Sequence, residues 1–195
     1  MCNFNCEYCH NPDLKNKLPP VYNEQEVFNY LEKRGNLVDA LVISGGEPTL
    51  WGEDLIEFSK KFRRKFPDKY LKLDTNGWNP EFIRENSDVF NYLALDFKSF
   101  DYSLFSKVDI STIEKSISYL FLYEEFEIRI TMYPKYIYEI SLKKMSDMLK
   151  LYGIDKVSLQ QYKQIDNVTP YDKEYILIQK KLLESKGFMV TLKGI

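Results

Sequence analysis

Asp39-Ala40-Leu41-Val42-Ile43-Ser44-Gly45-Gly46-Glu47-Pro48 is the stretch on which the fold turns. A short apolar run that stops at a glycine pair has the length and composition of a strand buried in a parallel sheet. Downstream, Glu53 to Phe66 has helical spacing, and Tyr70-Leu-Lys-Leu-Asp74 reads as the next strand, closed by a turn at Asn76-Gly77. Strand, helix and strand repeat from there. Pro80 to Glu85 is predicted as a short helix, Tyr92 to Asp96 as a strand, Ser111 to Leu122 as a helix and Phe126 to Met132 as a strand. Leu142 to Leu151 follows as a helix, Lys156 to Gln161 as a strand, Lys173 to Lys186 as a helix and Phe188 to Leu192 as a last strand-like segment. Upstream, a helix from Asn23 to Arg34 opens with Asn23 as N-cap and Glu26 as its capping-box partner. No repeat, low-complexity tract or linker interrupts the pattern, so residues 1–195 are expected to form a single domain. The α/β alternation implies a parallel sheet covered by helices, either a barrel or an open doubly wound sheet.

Polar residues collect where the predicted strands end: Ser44-Gly-Gly-Glu-Pro48, Asp74-Thr-Asn-Gly77, Asp96-Phe-Lys98 and Gln160-Gln161. In barrel enzymes the active site sits at that rim. Any one aspartate there is explained by a turn or a helix cap. Four such strand ends argue for one shared site.

The cysteines supply its chemistry. Cys2, Cys6 and Cys9 are the only 3 in the chain and form a C-x3-C-x2-C run in its first loop. An odd number of crowded cysteines, without a secretory leader, argues against a disulfide framework. Structural zinc takes four ligands. The only histidine, His10, adjoins Cys9, where a fourth tetrahedral ligand would be strained, and no second knuckle follows. Soft thiolates at this spacing suit an iron–sulfur cluster. Three of them leave one iron of a four-iron cluster open to something other than protein.

Composition narrows the class. A net charge of −2 gives no nucleic-acid-binding signature, and the basic run Lys60-Lys61-Phe62-Arg63-Arg64-Lys65 reads as a solvated helix face. No apolar stretch approaches the ~20 residues of a membrane span. A reduced, cytoplasmic compartment is expected, with no membrane and no nucleic-acid partner. The 15 Tyr and 13 Phe read as core and surface filler.

Cys2-x3-Cys6-x-Tyr8-Cys9 followed by Gly45-Gly46-Glu47-Pro48 resembles the radical SAM superfamily. Five blocks, Tyr8-Cys-His-Asn-Pro12, Ile43-Ser-Gly-Gly-Glu-Pro-Thr49, Leu73-Asp-Thr-Asn-Gly77, Ala94-Leu-Asp-Phe-Lys98 and Leu159-Gln-Gln-Tyr162, are similar in order and interval to one subgroup. That subgroup is the activating enzymes of glycyl radical enzymes, particularly the activating protein of anaerobic ribonucleoside-triphosphate reductase. The resemblance runs from Cys2 to about Gln164. It implies a partial (β/α)6-type barrel with about five or six strands. It also implies a [4Fe-4S] cluster on Cys2, Cys6 and Cys9 as metal ligands and catalytic residues. The open iron would chelate S-adenosylmethionine, whose reductive cleavage yields methionine and a 5′-deoxyadenosyl radical. That radical would take the glycine Cα hydrogen of a partner glycyl radical enzyme, with ribonucleotide reductase as the first expectation and flavodoxin or ferredoxin as electron donor. Such a cluster is expected to be oxygen-sensitive.

By the same resemblance, Tyr8 would lie by the adenine. Gly45, Gly46 and Glu47 would meet the methionine amino group, and Asp74 would face the ligand's ammonium, with Thr75 and Asn76 shaping the rim. Arg129 would stand near the cofactor's carboxylate or ribose. Asp96 and Lys98 would face the substrate opening, Asp96 with a monovalent cation. For Asp96, Lys98 and Arg129 an internal ion pair is the competing reading. Relatives place a strand before the cysteine loop, ending in Gly just before the first cysteine; Met1 stands at that position, so the barrel is expected to lack its first strand. The absence of cysteine after Cys9 argues against auxiliary clusters. Two rival readings are a small-molecule radical SAM enzyme of the 7-carboxy-7-deazaguanine synthase type and a non-catalytic metal-binding module.

Overall fold

The computed structural model describes residues 1–16 and 18–195. Six parallel strands stand side by side in chain order: β1 (Ala40–Ile43), β2 (Tyr70–Thr75), β3 (Tyr92–Asp96), β4 (Glu125–Thr131), β5 (Lys156–Gln160) and β6 (Met189–Lys193). Helix α1 (Glu24–Arg34) precedes the sheet. The crossovers carry α2 (Glu53–Lys65), α3 (Pro80–Glu85), α4 (Ile110–Ser118), α5 (Glu139–Leu151) and α6 (Lys173–Ser185). Among the described residues β1 and β6 are the two edges, and the sheet is the partial barrel that the resemblance implied, where the alternation alone left a barrel or an open sheet.

Local chemistry sets the helix starts. Asn23 accepts from the Glu26 amide at 3.0 Å while Glu26 accepts from the Asn23 amide at 2.8 Å, the reciprocal box expected for α1. Asp109 and Asp172 cap α4 and α6 through their carboxylates. Two residues of the basic run on α2 are tied to α1, Lys61 to Glu24 and Lys65 to Glu32, while Phe62 between them is 1% exposed.

The two faces of the sheet differ, and the register shows how. One face carries aligned apolar rows, Ile43–Leu73–Leu93 and Leu95–Ile128–Val157–Val190. These side chains pack with Phe62, Ile83, Ile113, Met145 and Ile176 from the helices. Each fully buried one contributes about 1.5–3 kcal/mol. The other face carries Lys72, Asp74, Ala94, Asp96, Glu127, Arg129 and Ser158, with Asp96 beside Arg129 and Arg129 beside Ser158. The concave face is thus polar.

Two expectations need correction. The Asp39–Ser44 run reads as a fully buried strand, yet Ala40 is exposed, Val42 is 49% exposed, and Leu41 and Ile43 are half-buried. Its position explains this, since β1 pairs with β2 alone and is an edge. The helix predicted over Ser111–Leu122 ends at Ser118, and a separate 3-10 turn covers Leu120–Leu122. That turn buries Leu120 completely and leaves Phe121 and Leu122 outside, so the chain can re-enter the sheet at Glu125.

Candidate active site

The cysteine loop alternates. Cys2, Phe4, Cys6 and Tyr8 turn toward a cavity of about 110 Å³ that they line, while the residues between them face outward. Met1 and those intervening residues fasten the loop to segments that follow β1, β2, β3 and β4. The Met1 carbonyl accepts from the Glu47 amide at 2.8 Å, and Asn3 Oδ1 accepts from Asn76 Nδ2 at 2.9 Å. The Asn5 amide donates to the Phe105 carbonyl at 2.8 Å, and the Glu7 amide to the Tyr136 hydroxyl at 3.2 Å. The alternation ends at the turn over Glu7 and Tyr8, where the Cys9 amide donates to the Cys6 carbonyl at 3.3 Å.

Cys9, Asn11, Ser44, Gly45, Gly46, Glu47, Asp74, Thr75, Asn76, Asp96 and Lys98 complete the wall. The structure therefore brings together three of the four polar strand ends. Gln160 and Gln161 stay outside it, as does the exposed His10. Among the described residues no three Cys, His, Asp or Glu side chains converge to share a single ion. The three thiols surround a common space instead. Burial pushes the Cys2 thiol up, partly offset by the Phe4 amide that it accepts, and burial pushes Cys6 up to about 11 against the opposing charge of Lys98.

Gly46 is required by contact. A Cβ on it would stand 2.2 Å from the Met1 carbonyl oxygen. Gly45 is required by conformation, with φ 123° and open space where its Cβ would be. Glu47, 1% exposed, is a strut. Its Oε1 accepts from the Thr49 amide at 3.2 Å, the Thr49 hydroxyl at 2.6 Å and the Thr75 hydroxyl at 2.7 Å, and its Oε2 from the Asn76 amide at 2.7 Å. Burial pushes its carboxyl above the ordinary value although these donors pull it down. The carboxylate joins the end of β1 to the end of β2.

Behind the wall lies a charge ladder. Arg129 Nε donates to Asp96 Oδ1 at 2.7 Å, and its Nη1 reaches past the small Ala94 to Asp74 Oδ2 at 2.9 Å. Lys98 Nζ donates to Asp96 Oδ2 at 3.1 Å. Burial alone would raise the Asp96 carboxyl, but Lys98 and Arg129 outweigh it and hold it below the usual carboxylate range. The same pairing, against burial, holds Lys98 and Arg129 above their ordinary values. Arg129 does not itself line the cavity. The ion-pair reading of Asp96, Lys98 and Arg129 describes their observed contacts.

Two polar atoms in this wall are buried without a hydrogen-bond partner: Asp74 Oδ1 and the Tyr8 hydroxyl. Lys72 Nζ stands 3.4 Å from that Asp74 oxygen as an ion pair without hydrogen-bond geometry. Lys72 was legible, since it lies two residues before Asp74 on one strand and must share its face. Tyr133, Tyr136 and Tyr162 were not. Their rings lie 5.0, 5.6 and 6.5 Å from that of Tyr8, and nothing local in the sequence announces contacts across more than a hundred residues.

Comparison with known proteins identifies the arrangement. Residues 1–120 match the radical SAM superfamily. The chain is 33% identical over 186 residues to MJ1227 of Methanocaldococcus jannaschii, provisionally named a glycyl-radical enzyme activating enzyme, covering 89% of this chain and 73% of that protein. Among solved structures, Streptococcus suis SuiB bound to S-adenosylmethionine superposes with a TM-score of 0.73 at 15% identity, over 98% of this chain and 47% of SuiB. This chain thus spans about half of SuiB's length. A domain of pyruvate-formate lyase-activating enzyme from Bacteroides vulgatus superposes with a TM-score of 0.66 at 21% identity, over 79% of this chain and 98% of that domain. The superfamily implies a [4Fe-4S] cluster and S-adenosylmethionine. Three thiols around one cavity suit the cluster, and the unpartnered Asp74 Oδ1 in its wall is an acceptor suited to an ammonium group. A family match over residues 1–120, the span that contains every residue lining this cavity, leaves one conclusion: the chain belongs to the radical SAM superfamily and is a radical SAM enzyme.

Proposed function

We propose that this enzyme is an activase that takes the Cα hydrogen of a glycine in a partner glycyl radical enzyme, an anaerobic ribonucleoside-triphosphate reductase being the partner its motifs favour. The observation that carries the reading is the 33% identity to the M. jannaschii relative over most of both chains. When bound, the cluster and S-adenosylmethionine supply reductive C–S cleavage and a carbon centre that accepts a hydrogen atom. The chain's own residues bind and orient. Cys2, Cys6 and Cys9 would hold three irons of the cluster, as thiolates that had given up their protons. Asp74, fixed through Oδ2 by Arg129, keeps Oδ1 free of hydrogen bonds and offers it to the ligand's ammonium.

Gly45 leaves room for backbone to approach the same group, and Glu47 holds that turn against β2 rather than spending its charge on the ligand. The Tyr8 ring walls the adenine side. Asp96 and Lys98 present the substrate lip; both Asp96 oxygens are engaged, so a monovalent cation there must displace Lys98 or Arg129. Arg129 acts from behind as the brace of two carboxylates. Electrons come from a flavodoxin or ferredoxin.

The test is anaerobic reconstitution with iron and sulfide, reduction, and addition of S-adenosylmethionine with a candidate reductase. A glycyl radical signal in electron paramagnetic resonance that needs the reductase, and disappears in Cys6→Ala, is the expected result. S-adenosylmethionine cleavage without a glycyl radical removes the activase reading and leaves the family assignment standing.

A further inference from the structure

We propose that Asp166 is a positioning residue for the cysteine loop, acting through two tyrosines that clamp Tyr8; this rests on the reading of that loop as the cluster ligand. Asp166 lies in the loop after β5, outside residues 1–120 that match the superfamily. Its Oδ2 accepts from the Tyr133 hydroxyl at 2.8 Å and its Oδ1 from the Tyr162 hydroxyl at 2.7 Å. The Val168 amide donates to Oδ1 at 2.8 Å and fixes the carboxylate in its own loop. One carboxylate thus ties the end of β4 to the segment after β5.

What the two tyrosines hold is the cysteine loop. Tyr133 and Tyr162 are 0% and 1% exposed, with ring centroids 4.9 Å apart. Tyr133 is tilted against Tyr8 at 5.0 Å and meets Tyr136 edge-on at 4.9 Å. The Tyr136 hydroxyl accepts the Glu7 amide, the Tyr133 hydroxyl lies 3.4 Å from the Glu7 carboxylate, and Lys135 pairs with that carboxylate. Glu7 and Tyr8 are the two residues between Cys6 and Cys9. Aromatic pairs of this kind have preferred tilted and edge-on geometries, and so fix direction. The Tyr8 hydroxyl has no hydrogen-bond partner, so the ring is placed by this cage and by Lys98 Nζ, 5.9 Å over its centre. The segment that sets the separation of two cluster ligands is therefore held by side chains more than a hundred residues away, and Asp166 is their common anchor.

The experiment uses the full chain, reconstituted anaerobically, and follows bleaching of the cluster's visible absorption after addition of a ferrous chelator. Asp166→Ala is expected to lose iron about tenfold faster than the unmodified chain, the factor one hydrogen bond to a charged group is worth. Its reduced cluster should give an altered electron paramagnetic resonance line shape, which a general loss of stability does not produce. The double variant Tyr133→Phe with Tyr162→Phe keeps the rings, removes the hydroxyls, and should match that rate; adding Asp166→Ala to it should change nothing further. The exposed carboxylate variant Glu85→Ala should behave as the unmodified chain. Unchanged iron loss and line shape in Asp166→Ala and in the double variant, with the circular dichroism of a folded chain, overturns the proposal. An unmodified chain that takes up no cluster overturns it too. Should Asp166→Ala fail to fold, the double variant decides.

Discussion

Replacing Arg129 with methionine removes one cation from between two carboxylates and keeps most of the side chain's volume. The guanidinium makes charge-assisted bonds of 2.7 Å to Asp96 and 2.9 Å to Asp74, and the three side chains are 15%, 30% and 13% exposed. Breaking a buried pair by removing one partner costs about 3–5 kcal/mol, because the other charge is left uncompensated. Here Asp96 retains Lys98 at 3.1 Å and Asp74 retains Lys72 at 3.4 Å, and Asp96 is nearly a third exposed. The lower end, about 3 kcal/mol, is the figure to expect once that screening is allowed for. For a chain of this size it corresponds to a melting temperature lower by roughly 6–12 °C. Urea unfolding of the iron-free chain by circular dichroism measures it directly. The pH dependence gives a second check. The Asp96 carboxyl is held below its unfolded value, so its contribution is present above the ordinary carboxylate pKa and lost as pH falls through the folded one. The gap between variant and unmodified chain should therefore be widest near neutrality and close in acid. Arg129→Lys, with a charge but no planar fork, should fall between them. A loss below about 1 kcal/mol at neutral pH would mean the ladder is no more than a surface-grade ion pair, and the reasoning fails.

Two further substitutions address the loop. Gly46→Ala places a methyl 2.2 Å from the Met1 carbonyl, so the first residues must move; iron content after reconstitution should collapse, whereas Gly45→Ala, with open space but φ 123°, should cost only about 1–3 kcal/mol and keep most of its iron. Glu47→Ala leaves the Thr49 and Asn76 amides and two hydroxyls without their acceptor and should cost about 2–5 kcal/mol in urea unfolding, with Glu47→Gln milder because it keeps one acceptor oxygen. Equal losses in the glutamine and alanine variants would show that shape rather than acceptance is what Glu47 supplies.

Local rules located the parts of the site. Cys2, Cys6 and Cys9 are legible because their chemistry depends on a spacing within one loop. Gly45-Gly46, Asp74 and Asp96 are legible because strand ends in a parallel sheet share one rim. The reading was less reliable where environment overrides pattern. Asp39–Ser44 reads as a strand of the buried parallel type, and its edge position leaves Val42 half open. Ser111–Leu122 looked like one helix, and the need to bury Leu120 broke it. Glu47 looked like a charge for a ligand, but its partners lie across the gap between two strand ends and cannot be found from its neighbours in sequence.

By itself the sequence determined the alternation of strands and helices, the cysteine loop and the rim on which the site is built, because these follow from periodicity, glycine and thiol chemistry acting over a few residues. Only the tertiary structure decided which charges meet. Arg129 reaches Asp74 diagonally across β3, from its own row with Asp96 to the row of Asp74 and Ala94, and Tyr8 is held by Tyr133, Tyr136 and Tyr162 because β4 and β5 deliver their ends to the same rim. Pairings of that kind depend on strand register and loop closure over long separations, and no residue type carries that information alone.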